Sequence, residues 1–287
     1  MERTVKTYRN QTFDEERALY ALQQAHIENC TFDGPADGES ALKEARGIRI
    51  ANCDFRLRYP LWHVTHATVE NSRLTTTCRA ALWYSQNITL EGCRIEGIKA
   101  VRECADVRIR NCEIASEEFG WMTRGLHMHH TKLSSEYPFL KSRDMKIERL
   151  NMQGKYSFQY VENVEIHRSV LDTKDAFWHC QNVTVYDSVL KGEYLAWYSQ
   201  NLRLVRCKII GRQPLCYARG LVLQDCEMVD CDLAFEKSDV QASVTGHITS
   251  IKNPASGHIV ADSIGEVIVE GEHARSGACV IKRRKAS

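Results

Sequence analysis

The chain has 287 residues, with 38 Lys plus Arg against 37 Asp plus Glu, a formal net charge of +1 and a sequence pI of about 7.6, so no global basic field draws it to nucleic acid or to an anionic membrane. The opening MERTVKTYRN lacks the apolar core of an export signal, and no stretch approaches the ~18 consecutive apolar residues of a membrane span. A cytoplasmic protein is expected, its 12 cysteines reduced thiols rather than a disulfide framework.

In chain order, residues 1–15 read as an N-terminal cap, because an uncovered solenoid end is an open strand edge. Thr12 and Glu15 have the spacing of a capping box ahead of helix-favouring residues 18–24, which leaves a short helix as an alternative. Phase favours a coil. Leu19, Leu42, Leu61 and Leu82 each precede Cys30, Cys53, Ser72 and Cys93 by the same eleven residues, and Glu16-Arg17-Ala18-Leu19 is echoed by Glu39-Ser40-Ala41-Leu42. Extra residues between these coils read as loop insertions, the largest a turn-rich bulge at 33–38.

From Asp106 to Asp239 the sequence repeats every 19 residues without a gap: DVRIRNCEI, GLHMHHTKL, DMKIERLNM, NVEIHRSVL, NVTVYDSVL, NLRLVRCKI and GLVLQDCEM. Asp106, Gly125, Asp144, Asn163, Asn182, Asn201, Gly220 and Asp239 form a column of residues that tolerate a left-handed backbone, which places a turn there. Apolar residues then alternate, as in Val164 and Ile166 or Leu202 and Leu204, the period-2 signature of a half-buried strand. A polar corner leads to a second small-x-apolar strand, such as Ser188 and Leu190. A third apolar and aromatic segment follows, for example Phe177-Trp178-His179-Cys180. Three short strands per turn leave no room for a helix in the repeat, and the architecture that survives is a single-stranded parallel β-helix solenoid, all-β, with about 11–13 rungs. The column Cys30, Cys53, Ser72, Cys93, Cys112, Thr131, Leu150, Ser169, Ser188, Cys207 and Cys226 reads as a small inward packing position rather than a metal site, since no C-x-x-C pair occurs. Regular rungs cover 16–239, irregular rungs 240–275, and a basic tail 276–287; the whole of 1–287 reads as one domain.

These short rungs, the corners Asn29-Cys30-Thr31-Phe32 and Asn52-Cys53-Asp54-Phe55, and the E-x-A-L entry resemble an uncharacterised bacterial domain-of-unknown-function family of single-domain, pectate-lyase-like right-handed β-helix proteins. The resemblance covers essentially residues 1–275. It implies a right-handed, pectin-lyase-like β-helix, and it implies no reaction, substrate or catalytic residue.

Two outward constellations are candidate sites. In the first, Arg110, His129, Glu148, His167 and Tyr186 share one repeat position, with His127, Glu165 and His130 beside them. A His-Glu-His stack could orient an imidazole as general base or bind a divalent metal, and the first use makes His127, His129, Glu148 and His167 the candidate catalytic residues; an alternating charge ladder is the plainer reading. Glu70 and Glu91 also share a column, with Arg110 following them. In the second, all five tryptophans, Trp62, Trp83, Trp121, Trp178 and Trp197, fall at one column with Leu140, Cys216 and Phe235, read as core. The next position holds His63, Tyr84, Tyr160, His179, Tyr198 and Tyr217, mixed with Glu103, Lys141 and Glu236, so it faces outward, and Tyr160, His179, Tyr198 and Tyr217 are the candidate ligand-binding residues.

Short loops and the missing export signal favour a non-catalytic binding or assembly protein presenting this aromatic strip. The alternative is an intracellular carbohydrate-active enzyme, a lyase or hydrolase, using the His/Glu column. The partners expected are a carbohydrate, another protein or a second copy of the chain, with no nucleic acid, no membrane, no cofactor and no metal.

Overall fold

Alternating apolar residues and left-handed corners build coils that stack in register. The computed structural model describes residues 5–34, 39–271 and 278–284. Two compact units divide the chain, Met1–Lys146 and Ile147–Ser287. Each is a parallel β-solenoid, and among the described residues the turns number about 14, at about 19 residues each. No helix among the described residues is long and apolar enough to cross a membrane.

In the first unit, one stack of strands comprises Lys6–Arg9, Gln23–Glu28, Arg46–Ala51, Thr65–Glu70, Gln86–Glu91 and Ala105–Arg110, each parallel to the next. A second stack begins at Thr12–Phe13 on Thr31–Phe32 and Asp54–Phe55. Residues 6–13 therefore form a coil of their own rather than a cap over one, and 18–24 hold no helix. The second unit repeats the pattern with Glu162–His167 on Gln181–Tyr186 and Gln200–Val205. At its end, Asp239–Lys252 and Ser256–Ile268 pair over most of their length, with register shifts. The tail read from the sequence also changes: Cys279–Arg283 pairs with 257–261 as a further strand, where Ile281 falls in register with buried Ile259. Strands at both ends explain why the turns outnumber the expected 11–13. The bulge at 33–38 lies mostly outside the described residues.

The turn column behaves as its residue types require. Asp106, Gly125, Asp144, Asn163, Asn182, Asn201 and Gly220 all have φ between 53° and 68°, whereas Asp239 opens a strand instead. In the second unit the Asn182 amide donates to Asn163 Oδ1 at 3.2 Å, and the Asn201 amide to Asn182 Oδ1 at 3.1 Å. The alternation then buries Val164, Ile166, Val183, Val185, Leu202 and Leu204. Phenylalanines stack inside each unit, Phe32 on Phe55 at 4.6 Å and Phe158 on Phe177 at 4.8 Å.

The Cys/Ser/Thr column is buried, as its small residues imply, but it is more than packing. The N–H of Cys53 donates to Ser72 Oγ at 3.0 Å, and that hydroxyl donates to the Glu70 carbonyl at 2.8 Å. Ser169 N–H donates likewise to Ser188 Oγ at 3.0 Å, and Cys93 N–H to Cys112 Sγ at 3.3 Å. A corner residue thus accepts from the coil before it and donates to its own strand. Cys, Ser and Thr interchange because each can do both.

The third side is the larger departure. Among the described residues, strands occur there only at Leu61–Trp62, Leu82–Trp83 and Val101–Arg102. In the second unit every other residue is left-handed instead, as at Tyr194, Ala196 and Tyr198 or Asp175, Phe177 and His179. Non-glycine residues pay roughly 1–2 kcal/mol each for this conformation. Hydrogen bonds to both neighbouring coils offset it: Phe177 N–H donates back to the Ser157 carbonyl at 2.8 Å, and His179 N–H donates forward to the Trp197 carbonyl at 3.0 Å.

Ile166→Asp is expected to destabilise by more than about 4 kcal/mol, since the carboxylate enters a closed apolar stack. Thr184→Asp, half-buried on the outer face between Glu165 and Arg203, should stay within about 1 kcal/mol of wild type. Equal denaturation midpoints for the two would show that the faces are misassigned. At the corner, Ser169→Ala should lose about 1–3 kcal/mol by orphaning the Leu150 N–H, and Ser169→Cys should recover most of it. Equivalent Ala and Cys variants would reduce the column to packing.

Candidate functional site

The third side of the second unit carries an unbroken aromatic ladder. Left-handed backbone at Tyr160, His179, Tyr198 and Tyr217 turns these side chains outward at matching points of successive coils. Their centroids lie 4.9, 5.0 and 5.0 Å apart, with interplanar angles of 6°, 9° and 20°. Tyr160 and Tyr198 are 49% and 45% exposed. Such close stacking covers both faces of His179 and Tyr198, so the ladder offers a ligand ring edges, phenol hydroxyls and an imidazole rather than flat ring faces.

The tryptophan column is not core. Trp178 and Trp197 stack at 5.4 Å and 6° beside the ladder, both half-buried, and their indole N–H groups donate to the Tyr194 and Gln213 carbonyls at 2.7 and 3.1 Å. The core position is one residue earlier, at Phe158, Phe177, Ala196 and Leu215. A one-residue insertion also moves the next coil. Tyr160 N–H donates to the Trp178 carbonyl and Tyr217 N–H to the Glu236 carbonyl, which puts Glu236 in the tryptophan column and Lys237 in the tyrosine column. Phe235 joins the core.

Lys237 Nζ sits 5.7 Å from the Tyr217 ring centroid and ends the ladder. His179, Tyr198, Gln200, Tyr217, Arg219 and Lys237 line an open recess of about 380 Å³. Burial pushes the Tyr217 phenol pKa up, with Glu236 and then Tyr198 adding to it, so this hydroxyl stays protonated and can donate. Gln200, Arg219 and Lys237 escape the sequence reading. The first two stand two residues after Tyr198 and Tyr217, a column that could have been inspected, whereas Lys237 depends on an insertion that only the coil-to-coil hydrogen bonds locate.

In the first unit Trp62, His63, Trp83 and Tyr84 form a separate patch. Trp62 and Trp83 are 5.7 Å apart, His63 and Tyr84 5.1 Å, and Lys43 Nζ lies 4.3 Å from the Trp62 centroid.

The His/Glu column divides between the units. His127 and His129 belong to the first, where they pair in register with Arg108 and Arg110. Burial, then Arg108 and Lys146, hold His127 below its ordinary value of 6.5, so it is neutral at pH 7. Glu148 and His167 belong to the second unit. The Arg168 guanidinium donates to the Glu148 carboxylate, while His167 Nε2 lies 2.5 Å from Glu165 Oε1 and its ring stacks on Tyr186 at 4.6 Å. None of the four lines the aromatic recess. Glu70 and Glu91 are neighbours in register, but Arg49 pairs with Glu70 at 2.8 Å and the Asn111 amide donates to Glu91 at 2.6 Å. Among the described residues no group of three or more His, Cys, Asp or Glu side chains is placed to hold a metal ion.

The family described as "Protein of unknown function (DUF3737)" matches residues 6–282. The chain belongs to this family. No curated protein matches this DUF3737 chain in sequence. Among solved structures it is similar to a surface adhesin, PfbA, of Streptococcus pneumoniae, at 10% identity over 91% of this chain and 82% of that one, with a TM-score of 0.52. A tailspike protein of E. coli bacteriophage HK620 is similar at 9% identity, 91% and 62% coverage and a TM-score of 0.46. The catalytic domain of a GH87 alpha-1,3-glucanase in complex with nigerose is similar at 11% identity, 99% and 64% coverage and 0.45. The DUF3737 chain thus spans under two thirds of the length of the last two. The likeness to the adhesin shows the fold alone.

In an NMR titration the His127 ring should protonate below 6.5, and Arg108→Ala should move it part of the way up, because burial, the larger cause, remains. An unchanged titration in that variant would remove Arg108 as a cause.

Proposed function

We propose that this protein is a non-catalytic β-solenoid that binds a glycan chain along the Tyr160, His179, Tyr198 and Tyr217 ladder. The observation that supports this most is the unbroken register of four outward rings at 4.9–5.0 Å intervals, opening into the recess around Tyr198 and Tyr217. A polymer of hydroxyl-bearing units laid along such a row meets a hydrogen-bonding edge group at each coil. Ladder stacking fixes those groups before binding, which lowers the ordering cost that weakens flexible sites.

Chemistry on the His/Glu column draws less support. A general base must reach the proton it takes, yet Glu148 is already held by Arg168 and His167 by Glu165. Glycoside cleavage also calls for two facing carboxyl groups, and the recess lining carries none.

Tyr198→Phe is the sharper probe, because it keeps both stacking contacts and removes one hydroxyl. It should weaken glycan binding, measured by calorimetry on hits from a glycan array, by roughly 3- to 15-fold at an unchanged unfolding midpoint. Wild-type affinity in Tyr198→Phe, or an array without hits from a chain that self-associates instead, would overturn the reading in favour of another contact or of assembly.

A further inference from the structure

We propose that the glycan taken by this ladder is acidic, bearing carboxylate or sulfate groups that are read by Arg219 and Lys237. This rests on the glycan-binding reading and specifies its substrate class. In the second unit Lys174, Lys191, Arg206, Lys208, Arg212 and Lys252 each pair with a carboxylate within 3.5 Å. Among the described residues Arg219 and Lys237 have no such partner, and both border the recess. The nearby acids are engaged elsewhere: Glu236 Oε1 lies 3.5 Å from Lys252 Nζ, and the Asp239 carboxylate accepts from the Gly220 N–H at 3.2 Å and from the Ser256 hydroxyl at 2.9 Å.

Two unneutralised cations lining one recess repel each other, and an anion bound in it offsets that repulsion. Position favours the same occupant. Lys237 is held at the end of the ladder by its contact with the Tyr217 ring, and Arg219 is fixed at its backbone by a parallel bridge to Gln200, leaving a planar guanidinium that suits a two-oxygen anion. The remaining lining groups agree. Aromatic edges carry the positive part of the ring quadrupole, and the ladder presents edges. The Tyr198 and Tyr217 phenols and the Gln200 amide donate hydrogen bonds. A neutral sugar would satisfy the donors and leave both cations uncompensated.

The test compares 1,4-linked oligoglucuronate with the neutral cello-oligosaccharide of equal length, which differs only at C6, and adds a sulfated cello-oligosaccharide as a third arm. At low ionic strength the charged probes should bind roughly tenfold tighter than the neutral one, and the gap should close as salt rises. In the double variant R219Q/K237Q the ratio should fall to near one, with an unchanged unfolding midpoint because both side chains are exposed. A preference confined to the carboxylate or to the sulfate probe identifies the anion and supports the proposal. Equal affinity for charged and neutral probes, or a preference that survives in R219Q/K237Q, overturns the acidic ligand while leaving the ladder as a glycan site. Failure of all three probes to bind overturns both.

Discussion

Coil-to-coil backbone hydrogen bonding in a fixed register is the interaction on which everything else in each unit depends. A parallel strand pair can form only if every coil returns to the same point after the same number of residues, and the left-handed turn column enforces this. Asn163, Asn182 and Asn201 hold φ near 54°, where most side chains are penalised, and they tie their amides to one another along the stack. Where the ladder of β-dihedrals gives way on the third side, the hydrogen bonds persist by alternating between the coil before and the coil after. Backbone satisfaction, rather than strand geometry, is what the fold preserves.

Register has a chemical corollary, because identical positions are forced into contact. Aromatic residues at one position must stack on each other, and each ring spends its faces on its neighbours. A surface that the sequence presents as a row of platforms becomes a row of edges. The same logic brings charges together: cations that repeat along a column need acids one coil away, and Arg206 with Asp187 or Lys208 with Glu227 meet that need at 2.6 and 3.1 Å. Arg219 and Lys237 stand outside this pairing, as does Arg203, which donates to the Gln224 amide oxygen at 2.8 Å instead.

Most of the fold was legible in the sequence because it is periodic. The turn column, the buried alternation through Val164 and Ile166, and the Cys/Ser/Thr column could be aligned by counting, and each lies where the count puts it. Counting failed wherever meaning depended on dihedral angle or on a one-residue insertion. Trp178 and Trp197 look like core because tryptophan is large and apolar, yet the left-handed residues flanking them rotate that position to the shoulder of the coil. Lys237 could not be placed beside Tyr217 without knowing which carbonyl the Tyr217 N–H reaches. Residues 6–13 and 279–283 lack the full motif, so their pairing is a property of the neighbouring strands more than of their own sequence.

The corner relay bears on how such a chain can change length. Ser188 receives the N–H of Ser169 and Cys112 that of Cys93, so a Ser or Cys corner offers its predecessor an acceptor and asks its successor for one, whereas Leu150 only donates, through its N–H to Ser169. Adjacent Ser and Cys corners are chemically equivalent. Cutting the chain at one corner and rejoining it at the corresponding corner of the next coil therefore leaves donors and acceptors matched across the seam, with the ring stack and the asparagine column shortened by a single member. Partial coils break all of these at once. Gain or loss of sequence in such a protein is expected to come in whole turns, each adding one rung to whatever surface the columns display.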